Sequence, residues 1–318
     1  MFEIGYTLSS EEFGPGDLVR FAQRAEGTGF SFALVSDHFH PWIDAQGESP
    51  FVWSVIGGVA QATERLRLGT GVTCPLIRIH PGLVAQAAAT SEAMMPGRFF
   101  LGVGTGENLN EHILGGRWPA APIRRQMLED AVALIRELWS GKLVTRSGPH
   151  YSVEGARVYS LPPEPPAVYV AGAGTKAAEL AGRIGDGYIG VAPKAEMIET
   201  FDRSGGAGKP RLAEVQVCWA RDEAEARKTA LEWWPNIAIP GELGQELSLP
   251  RHFEQAAGNV REDDVAELVA CGPDPERHME VIRKYIDAGY DQISVHQIGP
   301  DQDGFFDFYE REVLPKLG

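Results

Sequence analysis

A (β/α)8 barrel of the TIM type, with insertions at the C-terminal face of its strands, is the fold this sequence predicts. Three observations predict it. Strand-like apolar stretches alternate with helical stretches eight times along the chain. The length of 318 residues exceeds a typical domain but suits one such barrel, which runs to about 250 residues before insertions are added. Glycine-rich and polar segments follow the strands directly, at the ends where α/β folds bind ligands. A doubly wound open sheet is the alternative that the same alternation allows.

Taken in order, residues 2–7 read as the first strand. A helix from Asp17 follows, with Leu18, Phe21, Ala22 and Ala25 on one face and Gly27 and Gly29 stopping it. Residues 32–36 form the second strand and 51–62 the next helix. Residues 66–69 form the third strand, entering the loop from Gly71 to Pro75. Residues 81–95 are helical, with proline suited to the first turn, and the apolar run from Phe99 to Val103 is the fourth strand. Met127, Ala131, Leu134, Ile135 and Leu138 recur at helical spacing within a helix over 124–139. Residues 142–159 predict a small hairpin, and the prolines at 162, 163, 165 and 166 a rigid lead-in to the fifth strand at 167–170. A helix over 175–184, strands over 187–191 and 211–219, and a helix over 222–234 follow. Residues 241–267 break the alternation with polar helical sequence and read as a helical insertion. A helix over 273–287, the eighth strand over 292–296 and a closing helix over 305–317 complete one domain over 1–318, without internal repeat or low-complexity tract.

Composition narrows the function. Hydrophobic residues make up 43% of the chain, without an apolar run long enough to span a bilayer. The opening residues have neither a basic leader nor a long apolar stretch, so cytoplasmic residence is expected. A formal net charge of −15 argues against a nucleic-acid partner, whose phosphates demand a basic face. Cys74, Cys218 and Cys271 are widely spaced and lack any C-x-x-C pairing, so a disulfide framework or cysteine zinc site is not expected; they read as small buried hydrophobes.

Chemistry is concentrated at three strand ends. The second strand runs into Ser36-Asp37-His38-Phe39-His40-Pro41-Trp42. Imidazole titrates near neutral pH, which makes His38 a candidate general base; Asp37 is placed to orient it or a cofactor group, and Trp42 to form a flat wall. A metal site is not expected, because nothing else supplies ligands at telling spacing. The fourth strand empties into Gly102-Val-Gly-Thr-Gly-Glu-Asn-Leu-Asn-Glu111, where Gly104 and Gly106 let backbone come close to a ring or phosphate, and Glu107 and Asn110 open a helix. The fifth ends in Ala171-Gly172-Ala173-Gly174-Thr175-Lys176, whose free N–H groups at a helix start suit an anion. It lacks the spacing of a P-loop. A plain strand-to-helix turn accounts for either glycine segment taken alone.

Taken together and in this order, these segments and Ala181-Gly-Arg-Ile-Gly-Asp-Gly-Tyr188 resemble the luciferase-like (β/α)8 oxidoreductases. The closest likeness is to the branch typified by F420-dependent glucose-6-phosphate dehydrogenase. The likeness is tight from Phe2 to about Gly190 and looser beyond.

The resemblance implies coenzyme F420, a deazaflavin whose C5 accepts or donates hydride, and a small hydroxyl-bearing substrate. His38 matches the base that takes the substrate hydroxyl proton, Trp42 a tryptophan that stabilises the charge-separated intermediate, and Glu107 the acid that handles the other proton. Asp37, Asn110 and the backbone of Gly104, Thr105 and Gly106 match cofactor contacts. Gly71-Val72 aligns with a non-proline cis peptide beside the ring, and Ala171, Gly172, Ala173 and Gly174 with the segment receiving the phosphate-bearing tail. In that branch two lysines and an arginine clasp the substrate phosphate. Lys194 matches the first lysine and Arg277 the arginine, while Gln255 replaces the second lysine, which puts glucose 6-phosphate in doubt as the substrate. A homodimer without membrane or nucleic-acid partners is expected. An FMN-dependent luciferase-like monooxygenase and a non-catalytic F420-binding protein are the rival readings.

Overall fold

The computed structural model describes residues 2–317. Its strands, in chain order, are β1 (Glu3–Leu8), β2 (Phe32–Val35), β3 (Arg67–Thr70), β4 (Phe99–Val103), β5 (Val144–Ser147), β6 (Ser152–Ala156), β7 (Ala167–Ala171), β8 (Gly187–Gly190), β9 (Arg211–Cys218), β10 (Ala270–Cys271) and β11 (Gln292–Gln297). Eight of them, β1, β2, β3, β4, β7, β8, β9 and β11, pair side by side in parallel, and the β8–β9 pairing closes the ring. This is the (β/α)8 barrel. The open-sheet alternative fails at that closing pair, since an open sheet leaves two free edges. β5 and β6 form the expected antiparallel hairpin.

The strands read as continuous apolar runs because both of their faces are covered. One face packs on the surrounding helices in the large core. The other fills the barrel with Phe32, Leu34, Phe100, Tyr169, Ile189 and Leu212. Such rings need room, and glycine supplies it: a Cβ on Gly69 would sit 2.0 Å from Phe100 Cε2. Each fully buried aromatic or aliphatic side chain is worth about 1.5–3 kcal/mol, so this plug closes the barrel below the mouth.

Strand positions follow the sequence expectation within a residue or two, and the helix Thr175–Ile184 forms as expected. Three differences have physical causes. A helix over Ala195–Phe201 joins β8 to β9, although only Met197, Ile198, Thr200 and Phe201 carry its buried face and the run is too short to read as periodic. The closing helix is not continuous: Gln302–Phe308 passes through a wider turn at Tyr309–Val313 into Leu314–Leu317. The cysteines are not all apart in space, for Cys271 of β10 stands in register beside Cys218 of β9; all three cysteines are free and buried. Burial pushes the Cys271 thiol up to about 11, and Cys218 is pushed up by the same cause, as suits inert core thiols.

Candidate active site

The loop after β2 carries His38 and Trp42, and its shape is set by hydrogen bonds from a neighbouring element. Asn110 Oδ1 accepts from the backbone N–H of Phe39 at 2.9 Å and of His40 at 3.1 Å, and His40 Nδ1 lies 3.0 Å from the Leu109 carbonyl. The loop is thereby bound to the short helix Asn108–Glu111 that follows β4. The Trp42 ring stands 5.0 Å from that of His38, at 61°, and is backed by Phe253 at 5.2 Å.

His38 Nδ1 faces two acceptors, Glu11 Oε1 at 3.2 Å and the His40 carbonyl at 3.2 Å. Two acceptors at one ring nitrogen require that nitrogen to carry the hydrogen, which leaves the lone pair of the neutral ring on Nε2. Glu11 was missed by sequence reasoning. It sits between β1 and its helix, where a glutamate looks like surface, yet it is buried. Ser36 Oγ donates to it at 2.6 Å and Ser9 Oγ at 3.1 Å. Nothing in the local pattern marks it; only the pairing of β1 with β2 carries it to the imidazole.

Glu107 caps the front of the short helix and is half-buried. Burial pushes its carboxyl above the usual carboxylate range; the charge of His38 pulls it back and that of Glu11 pushes it further up. The Asn110 amide nitrogen, Nδ2, is buried without a hydrogen-bond partner, a donor that a ligand is free to satisfy.

Asp37 is placed deeper than the resemblance suggests. Thr73 Oγ1 donates to its Oδ2 at 2.7 Å, and Arg78 Nη2 to its Oδ1 at 2.8 Å. Arg78, also missed, holds Glu111 as well, with its backbone N–H 2.8 Å from Glu111 Oε2. Its side chain is only 6% exposed. This buried pair of carboxylates around one guanidinium fixes the segment after β3, where the Gly71–Val72 peptide bond is cis. Burial opposes the Arg78 charge, but Asp37 and Glu111 outweigh it and hold the guanidinium above its ordinary value.

Glycine is required at two places in the β4 turn. A Cβ on Gly104 would lie 2.7 Å from Val72 Cγ2, and one on Gly106, at φ +67°, would lie 2.6 Å from Cys74 Sγ. The turn thus lies against the Val72 segment, with Thr105 half-buried at its crest. Beyond β7, the Gly172 N–H donates to Ile189 and its carbonyl accepts from the Tyr188 hydroxyl. Ala173 and Gly174 are exposed at the start of the helix Thr175–Ile184, whose first turn holds no acidic residue and whose cap lacks a side-chain bond. Those N–H groups are open to an anion.

The three expected phosphate contacts are not drawn together by any bond. Lys194 and Gln255 are exposed, and their side chains make no hydrogen bond or ion pair among the described residues. Arg277 Nη1 is held by Glu223 Oε1 at 2.6 Å. Gln255 rides on the helix Pro250–Ala256, within a segment docked onto the site. Phe253 of that helix backs Trp42, and Glu246 just before it accepts from Arg124 at 3.3 Å and, through its carbonyl, from Asn108 Nδ2 at 2.9 Å.

A parallel barrel whose mouth gathers an oriented imidazole, a raised carboxyl and a closely packed glycine turn defines a cofactor-using α/β-barrel enzyme class. The chain belongs to the luciferase-like monooxygenase family, whose model matches residues 1–292. Among named relatives it is similar to an F420-dependent glucose-6-phosphate dehydrogenase of Microbacterium testaceum (strain StLB037), 38% identical across 99% of this chain and 97% of the relative. The protein of that name from Nakamurella multipartita is 37% identical across 99% and 96%. Among solved structures it is similar to an F420-dependent secondary alcohol dehydrogenase in complex with an F420–acetone adduct. That match has a TM-score of 0.92 and 30% identity over 98% of each chain.

Proposed function

We propose that this protein is an F420-dependent oxidoreductase that moves a hydride between a hydroxyl-bearing substrate and the deazaflavin. The observation that carries the reading is His38, its Nδ1 turned to buried Glu11 so that Nε2 keeps the lone pair of the neutral ring, with that ring beside Trp42. The residues present suit the cofactor. Asn110 Nδ2 offers an unsatisfied donor, the Gly104–Gly106 turn packs directly on Val72 and Cys74 and so sets its backbone beside the cis Gly71–Val72 peptide, and the start of the helix Thr175–Ile184 offers N–H groups for a phosphate. When bound, a deazaflavin supplies a ring carbon that accepts hydride from the substrate. Asp37 serves this site from behind, by fixing Thr73 and Arg78.

His38 Nε2 takes the proton of the substrate hydroxyl as the adjacent carbon gives up hydride, and Glu11 stabilises the imidazolium that results. Glu107, kept protonated to higher pH by burial, donates or receives the second proton. Trp42 presents a wall that excludes water and holds the imidazole plane. The substrate is a neutral or weakly held alcohol or sugar, since Gln255 is uncharged and the Arg277 guanidinium already serves Glu223. The chain is read as one domain acting as a homodimer in the cytoplasm; kinship within the family supports this, and no helix among the described residues is long and apolar enough to cross a membrane. The test is to mix the purified protein with F420 and with F420H2 against sugars, sugar phosphates, alcohols and ketones while following the cofactor absorbance. A change with at least one hydroxyl or carbonyl compound is the expected result. None across the panel contradicts the reading.

A further inference from the structure

The apolar plug inside the barrel stops below the mouth, and the layer above it is polar on one side only. β1, β11 and β9 are adjacent and in register, which gathers Thr7, Ser294 and Glu214. Thr7 Oγ1 lies 2.8 Å from Ser294 Oγ and donates to Glu214 Oε2 at 3.1 Å; Gln216 Nε2 donates to Glu214 Oε1 at 2.9 Å. The Glu214 side chain is 26% exposed. It projects inward from a barrel strand above a closed plug, so its open part faces the mouth.

One step nearer the strand ends, level with Gln216, stands His296, 2% exposed, with Nε2 2.7 Å from Glu12 Oε2. The other oxygen of Glu12 accepts the Gly299 N–H at 2.9 Å. His296 Nδ1 is buried without a hydrogen-bond partner and lies 3.9 Å from Glu214 Oε1. Burial opposes a charge on this ring, but the bond and charge of Glu12, then the charge of Glu214, outweigh it and raise its pKa. His296 thus holds its unpartnered Nδ1 near the Glu214 carboxyl. A carboxylate accepts about four hydrogen bonds, and Thr7 and Gln216 supply only two of them. Burial raises the Glu214 carboxyl, and the charge of Glu11, which also lies 3.2 Å from His38 Nδ1, raises it further.

None of this has a role in the proton transfers above. An apolar substrate end pressed on Glu214 would strip water from an acceptor without replacing its bonds, which is costly. A hydroxyl there replaces them. We propose that Glu214, flanked by Gln216 and by the His296–Glu12 pair, is a specificity-determining subsite that accepts a hydrogen bond from a second hydroxyl of the substrate. The protein thus prefers diols and polyols to monohydric alcohols. The proposal rests on the alcohol-oxidising reading of the pocket and goes beyond it by naming the substrate class.

The experiment has two arms, both on the full chain, with folding of each variant checked by its melting curve. In the first, kcat/KM with F420 is measured for D-sorbitol and for propan-2-ol in wild type and Glu214→Gln. The sorbitol-to-propanol ratio is expected to fall by about 10- to 100-fold, the usual worth of a hydrogen bond to a charged group. In the second, binding of D-sorbitol and propan-2-ol is titrated by saturation-transfer NMR without turnover. Sorbitol binding should weaken in Glu214→Gln relative to propanol by a similar factor. If Glu214→Gln does not fold, Gln216→Met serves, with a smaller shift of about 2- to 10-fold in the same direction. An unchanged ratio in both arms overturns the subsite. A wild type that reduces no F420 with either compound refutes the alcohol-oxidising reading, and the binding arm then decides the subsite by itself.

Discussion

The two sides of the barrel mouth are built differently. After β1, β2, β3 and β4, key polar side chains have two or more partners: Asn110 holds two backbone N–H groups, Arg78 bridges Asp37 and Glu111, and Glu11 gathers Ser9, Ser36 and His38. After β8, and along 241–267, the side chains that would grip a substrate are exposed, as with Lys194 and Gln255, or paired elsewhere, as with Arg277. A planar cofactor ring needs walls fixed to fractions of an ångström, and those come from buried bonds in short loops. A variable substrate end tolerates long side chains on a docked insertion. Rigid chemistry on one side and adjustable recognition on the other is the division this comparison teaches.

The sharpest way to break it is on the rigid side. His38→Ala is expected to lower turnover by on the order of 10²- to 10⁴-fold, the range for a general base, while cofactor affinity shifts only a few-fold. Steady-state kinetics with a calorimetric titration of the cofactor check both numbers. Arg78→Met leaves Asp37 and Glu111 buried without their cation and should cost about 3–5 kcal/mol of stability, read by denaturant unfolding. If that variant is as stable as wild type, the tied-down side is not held by this pair.

Glu107→Gln should slow turnover by on the order of 10²-fold and also change its pH dependence. Burial raises the folded-state pKa of Glu107 above the ordinary carboxylate value, so the carboxyl keeps its proton to higher pH than an exposed glutamate. Steps that need the protonated form, and the stability tied to that form, are present below the unfolded value and fade as pH rises through the folded one. The glutamine variant should lose that limb of the kcat profile; retaining it would assign the limb to another group. The smallest effect belongs to the adjustable side. Gln255→Lys should improve kcat/KM for glucose 6-phosphate by about 10- to 100-fold, and no gain would mean that position 255 does not face the substrate.

The same division governs what the sequence made legible. The barrel was readable because fully buried parallel strands appear as apolar runs such as Phe99–Val103. The nearness of His38, Trp42 and Glu107 was readable because each sits a few residues past such a run. Glu11, Arg78, Glu214 and His296 were not, since each acts through a partner at least 25 residues away in sequence, and no local periodicity encodes register between strands. Asp37 was read as a cofactor contact; that its oxygens also hold Thr73 and Arg78 was not legible, because both partners lie on another strand's loop. The short helix Ala195–Phe201 was too brief to show a period.

The account rests most heavily on the packed wall formed by the Gly104–Gly106 turn, Val72 and Asn110 receiving a deazaflavin. A calorimetric titration of the purified protein with F420 and, under identical conditions, with FMN tests this directly. The account predicts micromolar or tighter binding of F420 and much weaker binding of FMN, whereas FMN binding as tightly as F420, or more tightly, would contradict it.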